Sequence, residues 1–113
     1  MAKAFNFNTI KKEFFTVTLP DKKKTTLMIS TPTKEIMDDI QNLKDSVKED
    51  PNVEGNTEML GDLYNLIARI MSRNKGGITV TKKDLESILD FTDLIYFFNA
   101  YVSFIEEVAN SKN

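Results

Sequence analysis

The C-terminal segment LIYFFNAYVSFIEEV, Leu94 to Val108, constrains the fold more than any other part of the chain. Four of the eleven aromatic residues of the chain (eight Phe and three Tyr) lie within its first eight positions. At 100° per residue, its apolar side chains cover roughly 180° of a helix surface, whereas a stripe of about 100° is enough for an ordinary surface helix. The segment therefore predicts an α-helix with more apolar surface than one neighbouring element would cover.

The sequence allows two interpretations of this wide apolar face. In the first, the helix is central, packed between a second helix and a β-hairpin, and Leu94, Phe98 and Ile105 belong to the core. In the second, part of the face binds another chain, since exposed aromatic patches mark protein–protein contacts. The candidate protein-binding residues lie toward one margin of the face: Phe97, Tyr101, Phe104 and Val108. On this hypothesis, replacing Tyr101 and Phe104 together by alanine disturbs association more than folding.

The N-terminal region, residues 5–30, has the composition of a β-hairpin. EFFTVTL (13–19) and TTLMIS (25–30) are rich in β-branched and aromatic residues, and PDKKK (20–24) separates them as a polar turn. Phe15, Val17 and Leu19 alternate with threonines, so one face of the hairpin is apolar. AFNF (4–7) is a candidate for a short third strand. Since an isolated hairpin is only marginally stable, the helices must cover its apolar face.

Two amphipathic helices are predicted in the middle of the chain. The first covers residues 32–49, with Thr31 as N-cap and Pro32 at the first helical position, and ends at the loop EDPNVEGN. Its apolar stripe is only about 60° wide, typical of an outer helix: Ile36, Ile40, Leu43 and Val47. The second covers residues 57–73, and its apolar arc of roughly 140° suits a core helix: Met59, Leu60, Leu63, Leu66, Ile67, Ile70 and Met71. The glycines of NKGG (74–77) are expected to end it.

The remaining sequence predicts a third helix and a restart before the fourth. TKKD (81–84) resembles a capping box and begins a helix over residues 82–90. Near DFTD (90–93) the pattern is expected to restart, with Thr92 as cap of a final helix over residues 92–109. The predicted fold is mainly α with a small N-terminal β-hairpin (α+β). Three to four helices pack around the aromatic C-terminal helix in a single domain, residues 1–113.

Composition argues against several functional classes. The chain has no cysteine and no histidine, so it lacks thiolates, the commonest general base and the commonest zinc ligand. A net charge of −2 disfavours nucleic acid and anionic membranes as partners. No apolar run approaches the roughly 20 residues that cross a bilayer. The acidic residues lack calcium-loop spacing, and KGGITV lacks the Lys-Ser/Thr of a phosphate-binding loop. We therefore predict a non-enzymatic interaction protein with no catalytic, cofactor-binding or metal-binding residues.

The order of the predicted elements resembles that of the tail assembly chaperones of long-tailed phages (siphophages) and prophages of Gram-positive bacteria. A hairpin with a lysine-rich turn comes first, followed by a helix beginning TPTKEIMDDI, a loop and a second amphipathic helix. The chain then closes with TKKDLESILDFTDLIYFFNAYVSFIEEV. The likeness covers nearly the whole chain and is one of size, element order and sequence texture.

This resemblance implies a non-catalytic function in phage tail assembly. A protein of this family binds the tape measure protein in the host cytoplasm, keeps it soluble and helps to recruit tail tube subunits. It also self-associates, and it is absent from the mature virion. The alternative from another class is a small oligomeric structural or regulatory adaptor, whose aromatic helix makes only a homomeric interface. A nucleic-acid regulator is disfavoured because the chain is acidic and lacks a basic recognition helix.

Overall fold

The computed structural model describes residues 4–111, and in that range the chain forms four α-helices and one two-stranded antiparallel sheet. The elements follow the order β1 (Phe15–Thr18), β2 (Thr26–Ile29), α1 (Lys34–Glu49), α2 (Thr57–Met71), α3 (Lys82–Ile88) and α4 (Phe91–Asn110). The prediction of a mainly α fold with a small N-terminal β-hairpin is confirmed. The two ends of the predicted domain, residues 1–3 and 112–113, lie outside the described residues.

The hairpin forms where the alternating apolar residues predict it. Val17 of β1 lies opposite Leu27 of β2, and the Leu19 N–H donates to the Thr25 carbonyl at 2.8 Å, one pair beyond the strands. Leu27 and Ile29 are buried, so the apolar face of the hairpin does pack inward. The lysine-rich turn joins the two strands at the far end.

The predicted third strand at AFNF is wrong. The segment leads instead into a short 3-10 turn at Phe7–Thr9. The side chain of Asn6 accepts a hydrogen bond from the Asn8 N–H at 2.9 Å. Such a local side-chain bond gives the backbone an alternative to strand pairing, which the alternation of Phe5 and Phe7 does not reveal.

α1 begins two residues later than predicted. Its N-cap is Thr33 and not Thr31: the Thr33 hydroxyl accepts from the Ile36 N–H at 3.3 Å, and Pro32 precedes the cap. The predicted apolar stripe is confirmed, since Ile36 and Ile40 are buried and the later apolar residues of the stripe are half-buried. α1 is therefore an outer helix with one edge turned inward.

α2 occupies the centre of the fold, where the C-terminal helix was expected. It contacts α1, α3, α4 and β2. Six of the seven residues of its predicted apolar arc are buried, whereas Leu60 is half-buried and Ala68 is buried in addition: Met59, Leu63, Leu66, Ile67, Ile70 and Met71. α2 ends at Met71 with Ser72 as C-cap, two residues before the predicted end and ahead of the glycines of NKGG. α4 packs on one side of α2, so much of its own surface has no helix against it.

The segment after α2 returns to the hairpin. The Ser30 N–H donates to the Arg73 carbonyl at 2.8 Å, and the Lys75 N–H donates to the Met28 carbonyl at 2.9 Å. Residues 73–75 therefore cover the outer edge of β2. Gly77 then takes the left-handed conformation, with φ of 70°, which glycine adopts without steric cost.

The helical pattern restarts between α3 and α4, as predicted, but with a different cap. The N-cap of α4 is Asp90 and not Thr92. Asp90 and Asp93 each accept a 2.9 Å hydrogen bond from the other's backbone N–H, which makes a capping box. α3 carries its predicted box at TKKD and ends two residues earlier than expected. The chain bends by 118° at this break.

Candidate protein-binding site

The apolar face of α4 is only partly covered in the folded chain. Leu94 and Tyr101 are buried. The rest of the predicted face is half-buried: Ile95, Phe97, Phe98, Val102, Phe104, Ile105 and Val108. Tyr96, on the other side of the helix, is 74% exposed. α4 therefore has uncovered apolar surface, as the width of its face predicts.

Four aromatic rings form a cluster where β1 crosses α4: Phe15, Phe97, Tyr101 and Phe104. The Phe15 ring centroid lies 6.0 Å from those of Phe97 and Tyr101 and 5.4 Å from that of Phe104. The Phe97 and Tyr101 rings stack with planes 9° apart. Aromatic pairs at such distances contribute about 1 kcal/mol each beyond the area that they bury. This aromatic cluster attaches the hairpin to α4.

Tyr101 lies at the centre of the aromatic cluster and is completely buried. Its hydroxyl donates to the Ser30 carbonyl at 2.8 Å. Burial raises the pKa of Tyr101 to about 12, against the opposing effect of the nearby Arg73 charge. Tyr101 therefore does not belong to the surface to which the sequence assigned it. The expectation that replacing Tyr101 and Phe104 together affects association more than folding is therefore wrong for the Tyr101 half of the pair, whose loss should destabilise the fold.

The other three predicted binding residues keep part of their side chains exposed. Phe97 and Phe104 lie about one turn before and one turn after Tyr101, and both are half-buried. Each contacts Phe15 on one side and solvent on the other. Val108, about one turn beyond Phe104, is also half-buried. These three side chains remain available to another chain beside the hairpin.

A second apolar surface lies at the opposite margin of α4. Between α1 and α4, above α2, there is a groove with a volume of roughly 370 Å³. Its apolar lining comes from three helices and the loop after α1: Leu43, Val47, Val53, Leu63, Ile95 and Phe98. Lys44, Lys48 and Asn99 form its polar border. This α1–α4 groove therefore combines an apolar floor with a cationic border.

The sequence did not single out the α1–α4 groove. Phe98 was expected in the core, and its ring does pack against the core, but it also lines the groove. The signal in the sequence was the width of the α4 face, because a face of about 180° has two margins. Val53 has no such signal, since it lies in a loop, where its N–H donates to the Pro51 carbonyl at 2.9 Å.

Ion pairs hold α1 in place as one wall of the groove. Arg69 of α2 donates to Glu35 at 2.7 Å and also bonds to Asp39, both on α1. One guanidinium therefore joins α2 to two successive turns of α1. Because the three side chains are partly or largely exposed, these pairs orient α1 more than they stabilise it.

The half-buried side chain of Tyr64 holds the start of α4, the other wall of the groove. The Tyr64 hydroxyl donates to the Leu89 carbonyl at 2.6 Å, at the break between α3 and α4. Burial raises the pKa of Tyr64, and the negative charges of Glu86, Asp90 and Asp93 raise it further. The bond satisfies a carbonyl that the interrupted helix leaves free and sets the direction in which α4 departs.

The described residues offer neither a metal cluster nor a single membrane-spanning helix. Within residues 4–111, no three acidic, histidine or cysteine side chains are grouped so that they could hold a metal ion. In the same part of the chain, no individual helix has both the length and the apolarity to cross a bilayer; only α3 and α4 together do, and the 118° bend separates them.

Comparisons of the chain with protein-family models, curated proteins and solved structures give no match. The two surfaces of α4 and the resemblance in element order described above are the features that bear on function.

Proposed function

We propose that this chain is a non-catalytic tail assembly chaperone of a long-tailed phage or prophage, which binds the tape measure protein and helps to recruit tail tube subunits. The main structural support for this proposal is the α1–α4 groove. It offers an apolar floor with a cationic border on the surface of the folded chain. The resemblance in element order supplies the identity of the client, and the groove supplies a physical means of binding it.

The α1–α4 groove suits an amphipathic helix as its ligand. A helix bound in a groove inserts apolar side chains spaced three to four residues apart and leaves its polar face in solvent. Lys44 and Lys48 lie one turn apart on the border, where they would meet acidic residues beside the apolar stripe of the client. Such border charges affect association rate and orientation more than affinity. We therefore expect client segments with an apolar stripe flanked by Asp or Glu.

The small size of the groove favours reversible binding. A stable, specific protein complex buries about 1,200–2,000 Å² in total, more than one short groove of this kind provides. Each contact with a long client is therefore weak, and several copies bound along one client gain affinity through multivalency. On this proposal, the chain acts in the host cytoplasm and is absent from the mature virion. Its partners are the tape measure protein, the tail tube protein and further copies of itself.

Co-expression with tape measure segments tests the proposal, with Phe98→Asp as the groove variant. Tyr96→Asp is the matched control, since it makes the same kind of change on the exposed side of α4. We expect the wild type and Tyr96→Asp to keep the client soluble. Phe98→Asp should weaken client binding about tenfold or more, which corresponds to at least about 1.4 kcal/mol.

Thermal melts and the milder Phe98→Ala variant separate loss of binding from loss of folding. A folded Phe98→Asp protein that keeps the client as soluble as the wild type does would overturn the groove as the client site. A wild-type protein that leaves every tape measure segment insoluble would overturn the chaperone function itself.

A second candidate is a small oligomeric structural or regulatory adaptor. The exposed parts of the aromatic cluster favour it, since they lie beside the hairpin and could serve a homomeric interface alone. Light scattering after gel filtration, with and without a tape measure segment, distinguishes the two functions. A closed oligomer that ignores the client indicates the adaptor, and a complex that contains the client indicates the chaperone.

A further inference from the structure

The two outer edges of the hairpin differ in whether other backbone segments bond to them. Residues 73–75 cover the edge of β2 through the two backbone bonds described above. Leu19 and Thr25 form a hydrogen-bonded pair, and in an antiparallel ladder such pairs alternate with pairs that are not hydrogen-bonded. The backbone N–H and C=O groups of Val17 therefore point toward β2, and those of Thr16 and Thr18 point away from it. Within residues 4–111, nothing else in the backbone bonds to these outward groups. The outer edge of β1 is therefore open.

The open edge also lacks the usual protection against strand pairing. Proteins guard exposed edges with charged residues, prolines or bulges, because a free edge is a template for another strand. The segment FFTVTL, residues 14–19, contains neither a charge nor a proline, and most of its residues favour strands. Lysines and a proline occur only outside it, so they limit the length of a pairing without preventing it.

We infer that β1 pairs antiparallel with β1 of a second copy of this chain, about a two-fold axis at Val17. In this register, Thr16 of each copy exchanges both backbone hydrogen bonds with Thr18 of the other. All the outward N–H and C=O groups of these threonines are then satisfied. The side chains also match, with threonine opposite threonine on the outer face and valine opposite valine on the inner face.

This pairing stops at two chains. In the described part of each chain, residues 73–75 occupy the β2 edge at Met28 and Ser30 and leave only its end at Thr26 uncovered, so β1 provides the one edge long enough for this pairing. An isologous contact uses the same edge of both copies, and the product is a closed four-stranded sheet. It also relieves the marginal stability of a two-stranded sheet.

The aromatic cluster extends the interface beyond the strand. Five-residue strand pairing alone buries less than the roughly 1,000 Å² expected of a biological interface. Phe97 and Phe104 contact Phe15 on the inner face of the edge strand and keep exposed surface. In the proposed register, Leu19 of the second copy lies opposite Phe15, on the same inner face. The second copy therefore covers the exposed parts of these two rings.

The sequence of β1 is complementary to a second copy of itself. This favours a second copy of the chain over a client strand as the partner of the open β1 edge. The paired segment needs no other sequence to complete its hydrogen bonds or its side-chain pairs. The inference does not depend on the proposed chaperone function, because the α1–α4 groove lies at the other margin of α4 and stays free in such a dimer.

The variant Thr16→Pro tests whether the outer edge of β1 forms the dimer interface. Proline removes the outward N–H of Thr16, which makes no bond to β2, and its fixed φ is tolerated in an edge strand. Thr26→Pro is the control, since Thr26 is an exposed β2 residue whose N–H likewise points away from the partner strand. By light scattering, we expect twice the monomer mass for the wild type and Thr26→Pro. Thr16→Pro should have the monomer mass and an unchanged circular dichroism spectrum.

Val17→Cys tests the register. Residues that face each other as a non-hydrogen-bonded pair have Cα atoms about 4.5 Å apart, which suits a disulfide. The chain has no cysteine of its own, so any cross-link comes from the introduced residue. Mild oxidation should give a covalent dimer with Val17→Cys and none with Thr26→Cys, placed on the other strand.

Several outcomes would overturn the inference. They are a monomeric wild type at tens of micromolar, a dimer that survives Thr16→Pro, and a Val17→Cys protein that does not cross-link. A monomeric wild type whose binding to tape measure segments is lost in Thr16→Pro would assign the edge to a client strand instead. Failure of the chaperone function is visible separately, as insoluble client in the co-expression assay.

Discussion

The hydroxyl of Tyr101 in α4 donates to the carbonyl of Ser30 at the end of β2, 71 residues earlier in the chain. The adjacent carbonyl, that of Thr31, accepts from the Arg73 side chain at 2.9 Å. The last helix and the segment after α2 therefore bond to two consecutive residues that directly follow β2. Contacts between segments so distant in sequence fix the tertiary arrangement and not the local structure.

Tyr101→Phe should lower the free energy of unfolding by about 1–2 kcal/mol. The ring keeps its place in the aromatic cluster, but the Ser30 carbonyl loses its side-chain donor. Urea denaturation measures the change, and Tyr96→Phe at an exposed position should have no effect. A Tyr101→Phe protein as stable as the wild type would show that the hydrogen bond contributes nothing net.

Alkaline pH should weaken the fold through the same group. The pKa of Tyr101 is raised to about 12 in the folded chain, above the value of about 10 expected when it is unfolded. The folded state holds the proton more tightly, so this contribution is complete below pH 10. It is lost as pH rises from 10 toward 12, by about 1.4 kcal/mol per pH unit.

Urea denaturation at several pH values between 9 and 11.5 measures this loss. Because burial also raises the pKa of Tyr64, the comparison must be made with Tyr101→Phe. The difference in free energy of unfolding between the wild type and Tyr101→Phe should decrease as the pH rises across this range. A difference that stays constant with pH would show that the loss of stability at alkaline pH does not come from Tyr101.

Asp90→Ala should destabilise the chain by about 1 kcal/mol. The substitution removes the side chain that accepts from the Asp93 N–H at the start of α4. Thr92→Ala tests the residue that the sequence proposes as the cap, and it should be close to neutral. Thermal melts of the two variants measure the difference, and equal losses would argue against the capping box.

Tyr64→Phe should loosen the break between α3 and α4. The Leu89 carbonyl loses its donor, and we expect a loss of about 1 kcal/mol with faster amide hydrogen exchange near the break. Exchange in α1, which lies away from the break, serves as the internal reference. Unchanged exchange near residue 90 would show that the capping box alone holds the junction.

Periodicity predicted the helices because their apolar residues are separated by local, regular spacings. The ends were less certain where two residues of similar chemistry compete. Thr31 and Thr33 flank the same proline, and only the bond to the Ile36 N–H distinguishes them. Asp90 takes the position of Thr92 because Asp93 lies three residues later and returns a second bond.

The binding surfaces were harder to predict than the elements. A helical wheel gives the width of the α4 face but not which neighbour covers each margin. Tyr101 is buried because Ser30 and Phe15 reach it from the other end of the chain. The α1–α4 groove exists because α1 and α4 are both placed by α2 and leave a space between them. Both facts are set by long-range packing, which a single sequence does not display.

The central position of α2 has a consequence for how the chain moves. α2 holds α3, α4 and β2 together, whereas α1 has its main contact with α2 and continues into it through a loop at residues 50–56. An outward swing of α1 on that loop would have to break the ion pairs of Arg69 and expose Ile36 and Ile40, but it would leave the contacts of α2 with α3, α4 and β2 in place. Such a motion would widen the α1–α4 groove and let it accept helices of different diameter.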